Sequence, residues 1–128
     1  SNYAQSAMSW AVDMKLIQGD SGKLKMYKLE YLPIALNDMI EIISYIKNEL
    51  KNPTAANNLS EKFIQAAENS KDFPYSNPLY IPIRMLNHEY RKIIVDNYIM
   101  FYWVDETTKT ITVARVIYGK RDYGRIIE

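Results

Sequence analysis

Most side chains of this 128-residue sequence that could perform chemistry lie in its last third. They are cations, one histidine, one glutamate and one tyrosine near the end of the chain: Arg84, His88, Glu89, Arg91, Lys92, Arg115, Lys120, Arg121, Tyr123 and Arg125. Cleavage of RNA by its own 2′-hydroxyl group needs a base, an acid and cations that stabilise the phosphorane, and it needs no metal. The set contains a residue type for each of these roles.

The roles can be assigned in more than one way. Glu89 or His88 could be the base, and Tyr123 or His88 the acid. Arg91 and Arg121 are candidates to bind the phosphate, because one guanidinium group can donate to two phosphate oxygens at once. Further contacts to RNA or another target could come from the remaining cations, Lys92, Arg115, Lys120 and Arg125. The alternative is that all of these are surface charges at a sheet edge, and composition alone favours that alternative.

Other kinds of site are excluded by residue type. The sequence has no cysteine and a single histidine, which removes thiolate and multi-histidine metal centres. Its four glycines, Gly19, Gly22, Gly119 and Gly124, do not form a phosphate-binding loop or a dinucleotide fingerprint. We therefore expect neither a metal nor a cofactor.

Charge is almost balanced, at a formal net value of +1. Residues 84–128 hold eight basic and six acidic side chains, whereas residues 30–72 hold four basic and seven acidic ones. Proteins that bind nucleic acid mainly by neutralising phosphates are usually more basic than this. This uneven distribution of charge is only weak support for an anionic partner that binds the last third of the chain.

Two helices are predicted in the first half of the organised region. A short strand at residues 27–31 comes first, and Pro33 then fits the first turn of a helix. Apolar residues recur every three or four positions from Leu36 to Leu50, which indicates one buried stripe. Asn52 followed by Pro53 is typical of the start of a second helix, which Pro74 ends.

The last third is rich in β-formers. Residues 90–95, 98–104 and 110–118 each have the composition of a strand, with a hairpin turn at residues 105–109. A short polar tail follows Gly119. The predicted fold class is therefore α+β, with the order β-α-α-β-β-β and a helical hairpin packed on a mostly antiparallel sheet.

The first 25 residues differ from the rest. Ser1 and Asn2 resemble the remnant of a cleaved tag, and residues 18–22 have the composition of a linker. We expect an extension at residues 1–25 and one domain at residues 26–128. Residues 10–17 could pack on a groove of that domain. Because no signal peptide and no membrane span is evident, we expect a cytoplasmic protein.

Three strings resemble the RelE/ParE toxin family. Residues 26–31 followed by 35–39 (ALNDM) are similar to its opening strand and "A-x-x-D-[LIM]" helix. Residues 90–92 (YRK) and 97–102 (NYIMFY) are similar to its "Y-R … N-Y-x-x-x-Y" strands. Residues 112–123 (TVARVIYGKRDY) are similar to its closing strand and "[HY]-G-x-R-D-[YF]" tail. The resemblance extends from Met26 to the end of the chain.

The resemblance implies the toxin of a type II toxin–antitoxin, or plasmid-stabilisation, module. Such a toxin inhibits bacterial growth unless a cognate antitoxin holds it inactive. RelE-like members of the family cut messenger RNA at the ribosome without a metal. ParE-like members bind and block DNA gyrase and are not nucleases. The resemblance also implies the β-α-α-β-β-β fold.

The residues divide between the two mechanisms. Arg91 and the string Gly119-Lys120-Arg121 match cationic positions of the RelE-like nucleases. Ile99, however, stands where a second catalytic arginine is common, and Ile127 falls near the place of their closing tyrosine. Residues 26–128 hold 13 basic and 13 acidic side chains, although ribosome-directed members are strongly basic. These departures favour gyrase or an unknown target, with mRNA cleavage as the alternative.

Overall fold

Residues 27–128 are described by the structure, which is a computed structural model. The extension predicted at residues 1–25, including the segment 10–17, lies outside the described residues. Four strands and three α-helices follow one another along the described chain: β1 (Lys28–Tyr31), α1 (Pro33–Ser44), α2 (Pro53–Asp72), β2 (Arg91–Val95), β3 (Tyr98–Asp105), β4 (Thr110–Tyr118) and α3 (Tyr123–Ile126). The predicted α+β class and element order are confirmed, with α3 added at the end.

The helical hairpin forms where the prolines predict it. Pro33 occupies the first turn of α1, and a π-helical turn, Tyr45–Glu49, extends that helix. Lys51 has a positive φ of 52°, which lets the chain reverse between the helices. Asn52 then caps α2, because its side chain accepts a hydrogen bond from the Ala55 N–H at 3.0 Å. Within residues 27–128, no helix combines the length and apolar character that a membrane span requires.

The sheet has the order β1-β4-β3-β2. Its β1 strand is parallel to β4, and the other neighbours are antiparallel. The α1–α2 hairpin packs on one face, where Met39, Phe63 and Tyr102 are among the most deeply buried side chains. A bulge in the β3–β4 ladder falls between Phe101 and Tyr102.

A second apolar layer covers the opposite face of the sheet. Phe101 is fully buried there, and Ile127 is 3% exposed. The cover consists of the connection between α2 and β2 and the end of the chain. The expectation of a short polar tail after Gly119 is therefore wrong, because α3 and Ile127 pack against the sheet.

One carboxylate in the turn between β3 and β4 helps to join this turn to the rest of the fold. Glu106 accepts hydrogen bonds from the hydroxyl of Tyr27 at 2.6 Å and from the hydroxyl of Tyr75. The Lys109 ammonium lies 2.6 Å from the same carboxylate. Lys109 first, and then the two hydroxyls, lower the pKa of Glu106 to about 2.

Replacing Glu106 with Gln should lower the free energy of unfolding at neutral pH but not in acid. A carboxyl group whose pKa is lower in the folded chain stabilises that chain above its ordinary pKa of 4.5. This contribution is lost as the pH falls from 4.5 towards 2. Urea denaturation across that range should therefore show the native chain more stable than Glu106→Gln at neutral pH, with the difference shrinking in acid. A difference independent of pH would contradict the interpretation.

Candidate functional site

Arg91 begins β2 and pairs with Tyr102 on β3, on the face that carries the helices. Its guanidinium donates to the carbonyl oxygens of Asn77 at 2.7 Å and Tyr75 at 3.3 Å. It also lies 4.9 Å from the centre of the Tyr75 ring. The Tyr102 hydroxyl donates to the Pro74 carbonyl in the same region, at 2.7 Å. Arg91 therefore anchors the chain that follows α2.

Arg115 lies on β4 and is held by Asp38 of α1. Its Nε and Nη2 atoms donate to the two Asp38 oxygens at 2.7 and 3.0 Å. The Val116 N–H donates to the same carboxylate at 2.9 Å. A further Arg115 nitrogen donates to the Ile126 carbonyl. The predicted target-binding cation thus joins α1, β4 and the tail, and its side chain is only 14% exposed.

His88 borders a cleft on the face opposite the helices. Its ring stacks flat on Trp103, with ring centres 3.6 Å apart, and meets Tyr90 edge-on. The cleft has a volume of about 300 Å³, and its wall includes Arg115 and Glu128. His88 is exposed despite its contacts with Trp103 and Tyr90, so a binding partner could reach its ring.

Glu128 connects the tail to the same cleft. Its carboxylate accepts the Tyr90 hydroxyl at 2.9 Å and the Asn87 N–H at 2.7 Å. Burial, and then this carboxylate, raise the pKa of Tyr90 above its ordinary value. Tyr90 therefore holds its proton firmly at neutral pH, and its hydroxyl is already engaged.

The other predicted residues are distributed along the tail and β2. Tyr123 is half-buried and packs between the rings of Tyr80 and Phe101, at 5.8 and 5.5 Å between ring centres. Glu89, Lys120, Arg121 and Arg125 are exposed, and Arg125 forms an exposed ion pair with Asp122 at 3.2 Å. Lys92 pairs with Phe101 and so faces away from Arg91 across the sheet.

The structure brings together only part of the predicted set. His88 and Arg115 line one cleft, together with Tyr90, Trp103 and Glu128, whereas Arg91 lies on the other face of the sheet. Asp38, Trp103 and Glu128 were not predicted as site residues. The "A-x-x-D" string does point to Asp38, but its partner is 77 positions away and no local pattern reveals it.

Two of the solved structures of similar fold belong to toxin–antitoxin systems. One is described as the chromosomal ParDE TA system from P. aeruginosa, with 14% identity, 73% of this chain and 97% of that chain covered, and a TM-score of 0.58. The other is described as the archaeal RelE-RelB complex from Pyrococcus horikoshii OT3, with 12% identity, coverages of 75% and 98%, and a TM-score of 0.51. At these identities the likeness establishes the fold.

Comparison at the level of sequence gives the family. No curated protein sequence matches the chain. The family model described as the ParE toxin of type II toxin-antitoxin system, parDE, matches residues 29–123. This match covers both helices of the hairpin, the whole sheet apart from Lys28, and the start of α3. The chain therefore belongs to the ParE toxin family of type II toxin–antitoxin systems.

Proposed function

We propose that this toxin inhibits growth by binding a protein target, DNA gyrase, and that it does not cut RNA. The observation that carries the proposal is that two arginines predicted to bind phosphate or another target are instead bound within the fold. Arg91 donates to carbonyl oxygens of the chain after α2, and Arg115 is paired with Asp38. Arg115 uses all three of its nitrogens and Arg91 uses its Nη1 atom on these internal partners, so neither guanidinium can bind phosphate with its full set of donors.

The charge of the described chain supports the same proposal. Residues 27–128 contain as many acidic as basic side chains, 13 of each. Affinity for RNA comes largely from neutralised phosphates, so a balanced chain gains little of it. Tyr123, one of the two candidates for the acid, is packed between two aromatic rings.

A cognate antitoxin is the second part of the proposal. The two solved structures of similar fold described above belong to toxin–antitoxin systems. We infer that this toxin is likewise held inactive by an antitoxin and that it acts in the cytoplasm, where gyrase and ribosomes are found. The toxin domain comprises residues 26–128 in this proposal, and the family match over residues 29–123 supports that boundary.

The alternative function is ribosome-dependent cleavage of mRNA. The cleft beside His88 favours it, because an accessible imidazole lies there close to Tyr90 and Glu128. In this alternative His88 or Glu89 moves the proton, and Arg121, Lys120, Lys92 and Arg125 contact the phosphates. Arg91 could take part through its Nε and Nη2 atoms, whereas Arg115 would first have to leave Asp38 and the Ile126 carbonyl.

Expression of the full chain in bacteria separates the two functions. We expect growth arrest with relaxed plasmid DNA and intact transcripts, and inhibition of supercoiling when the purified toxin is added to gyrase. The variant His88→Ala should remain toxic. Arg121→Ala, which removes an exposed cation that could contact phosphate, should remain toxic as well. Cuts within translated messages that disappear in these variants would instead establish the nuclease.

A further inference from the structure

Strand β1 forms one edge of the sheet, and its outer backbone groups have no partner among the described residues. The N–H groups of Lys28 and Leu32 donate to carbonyl oxygens on the β4 side, at 2.7 and 2.9 Å. Because successive residues of a strand point their backbone groups in alternate directions, Leu29 and Tyr31 direct their N–H and C=O groups away from the sheet. No hydrogen bond between residues 27–128 uses these four groups. The edge therefore has two donors and two acceptors available for another strand.

The opposite edge of the sheet, at β2, is covered. Leu79 forms a β-bridge with Arg91, and the Lys92 N–H donates to the Pro78 carbonyl at 3.1 Å. The chain that precedes β2 therefore occupies the place of a further strand there. Within the described part of the chain, no strand occupies the corresponding place beside β1, whose hydrogen-bonded neighbour is β4. Uncovered edges of this kind are where the sheets of separate molecules pair.

The side chains of β1 alternate between charged and apolar. Leu29 and Tyr31 are half-buried and pack against the core under the helices, as Tyr27 does. Lys28 and Glu30 are exposed, and the alternation of a strand places both on the opposite face. No ion pair among residues 27–128 includes either of these two charges. Opposite charges two positions apart on an edge strand can pair with the same two charges of another copy.

An antiparallel pair of β1 strands has one register that suits both the backbone and the charges. Placing Leu29 opposite Leu29 of a second copy brings Lys28 opposite Glu30 on each side of the twofold axis. The free groups of Leu29 then pair with each other, and those of Tyr31 pair with Tyr27. A twofold axis at Glu30 or at Lys28 would instead place like charges opposite each other. An axis between two residues would oppose free backbone groups to groups already bonded to β4.

We propose that the free toxin forms a symmetric dimer in which β1 of one copy pairs antiparallel with β1 of a second copy, centred on Leu29. The two sheets then join into one continuous sheet. The charge pattern argues for a second copy as the partner, because a twofold contact needs a surface that complements itself. The short β1 limits the area of contact, so the association is weak and depends on protein concentration. The inference concerns the free toxin and does not depend on its target.

Charge reversal tests this register in the full chain. Lys28→Glu and Glu30→Lys each place like charges opposite one another on both sides of the axis, and each should weaken dimerisation about tenfold in sedimentation equilibrium. An equimolar mixture of the two variants should associate again, because one carries two acids at these positions and the other two bases. The variant with both changes should dimerise like the parent. Both side chains are exposed, so circular dichroism and thermal unfolding should match the parent.

A matched control and a direct readout complete the experiment. Lys47→Glu makes the same change of charge at an exposed position of the helical hairpin and should leave dimerisation unaltered. Hydrogen exchange followed by NMR reports on the edge itself. The amides of Leu29 and Tyr31 should exchange more slowly as the protein concentration rises, because pairing with the second copy protects them.

Four results would overturn the inference. The first is a parent chain that stays monomeric at every concentration. The second is association that neither charge reversal weakens, or that Lys47→Glu weakens equally, since the copies then meet elsewhere or respond to net charge alone. The third is a mixture of the two variants that associates no better than either variant alone. The fourth is protection of the Leu29 and Tyr31 amides that does not follow concentration: protection at every concentration assigns the edge to another segment of the same chain, and protection only with added antitoxin assigns it to that protein.

Discussion

Asp38→Asn is expected to lower the free energy of unfolding by about 3 kcal/mol, because it leaves the Arg115 guanidinium without its counter-charge. Both side chains of the pair are mostly buried, at 13% and 14% exposed. The carboxylate also accepts the Val116 N–H, so the loss affects α1 and β4 together. Urea denaturation followed by circular dichroism measures the change.

A matched control is available on the surface. Lys62 and Asp96 form an ion pair at 3.0 Å with both side chains about half exposed, and Lys62→Met should cost less than 1 kcal/mol. The double variant Asp38→Asn with Arg115→Met should recover part of the loss, because the unpaired charge is gone. A cost for Asp38→Asn as small as that for Lys62→Met would show that the buried pair does not hold α1 to the sheet.

The parts of the fold that could be predicted from the sequence are those with a periodic apolar pattern or a residue that marks the start or end of a helix. The apolar stripe of α1, the Asn52–Pro53 start of α2 and the aromatic strand β3 each carry a local signal. The tail carries none, because α3 has only four residues and a single turn is too short for a helical period. Its packing is decided by the apolar face that the helices leave uncovered, which depends on the assembled sheet.

The candidate site was predicted less completely for a related reason. Residue type identified Arg91 as a cation that could bind phosphate and Arg115 as one that could bind RNA or another target. Their actual partners are carbonyl oxygens and a carboxylate distant in the chain. Pairing over such separations follows from strand register and helix docking. The His88–Trp103 stack joins two elements in the same way, so neither residue's role could be derived from its neighbours in sequence.

Phe101→Ala should cost about 3–5 kcal/mol of unfolding free energy, as deletion of a fully buried phenyl ring does in a close-packed core. Phe101 is fully buried on the face opposite the helices, where it contacts the rings of Tyr80 and Tyr123. The loss of unfolding free energy therefore tests whether the α2–β2 connection and the tail form a close-packed core on this face of the sheet. Urea denaturation and hydrogen exchange of residues 119–128 measure stability and tail docking separately.

The same substitution on the other face supplies the comparison. Phe63 is 1% exposed between α2 and the sheet and meets Tyr98 edge-on, so Phe63→Ala should fall in the same range of about 3–5 kcal/mol. If the tail is only loosely packed on the sheet, it would fill the cavity left by Phe101→Ala or detach, with little loss of unfolding free energy. Phe101→Ala would then cost far less than Phe63→Ala, and amides of the tail would exchange rapidly in the parent chain. Equal costs establish that the ParE-like sheet of this toxin is packed on both faces, with the tail as part of the second core.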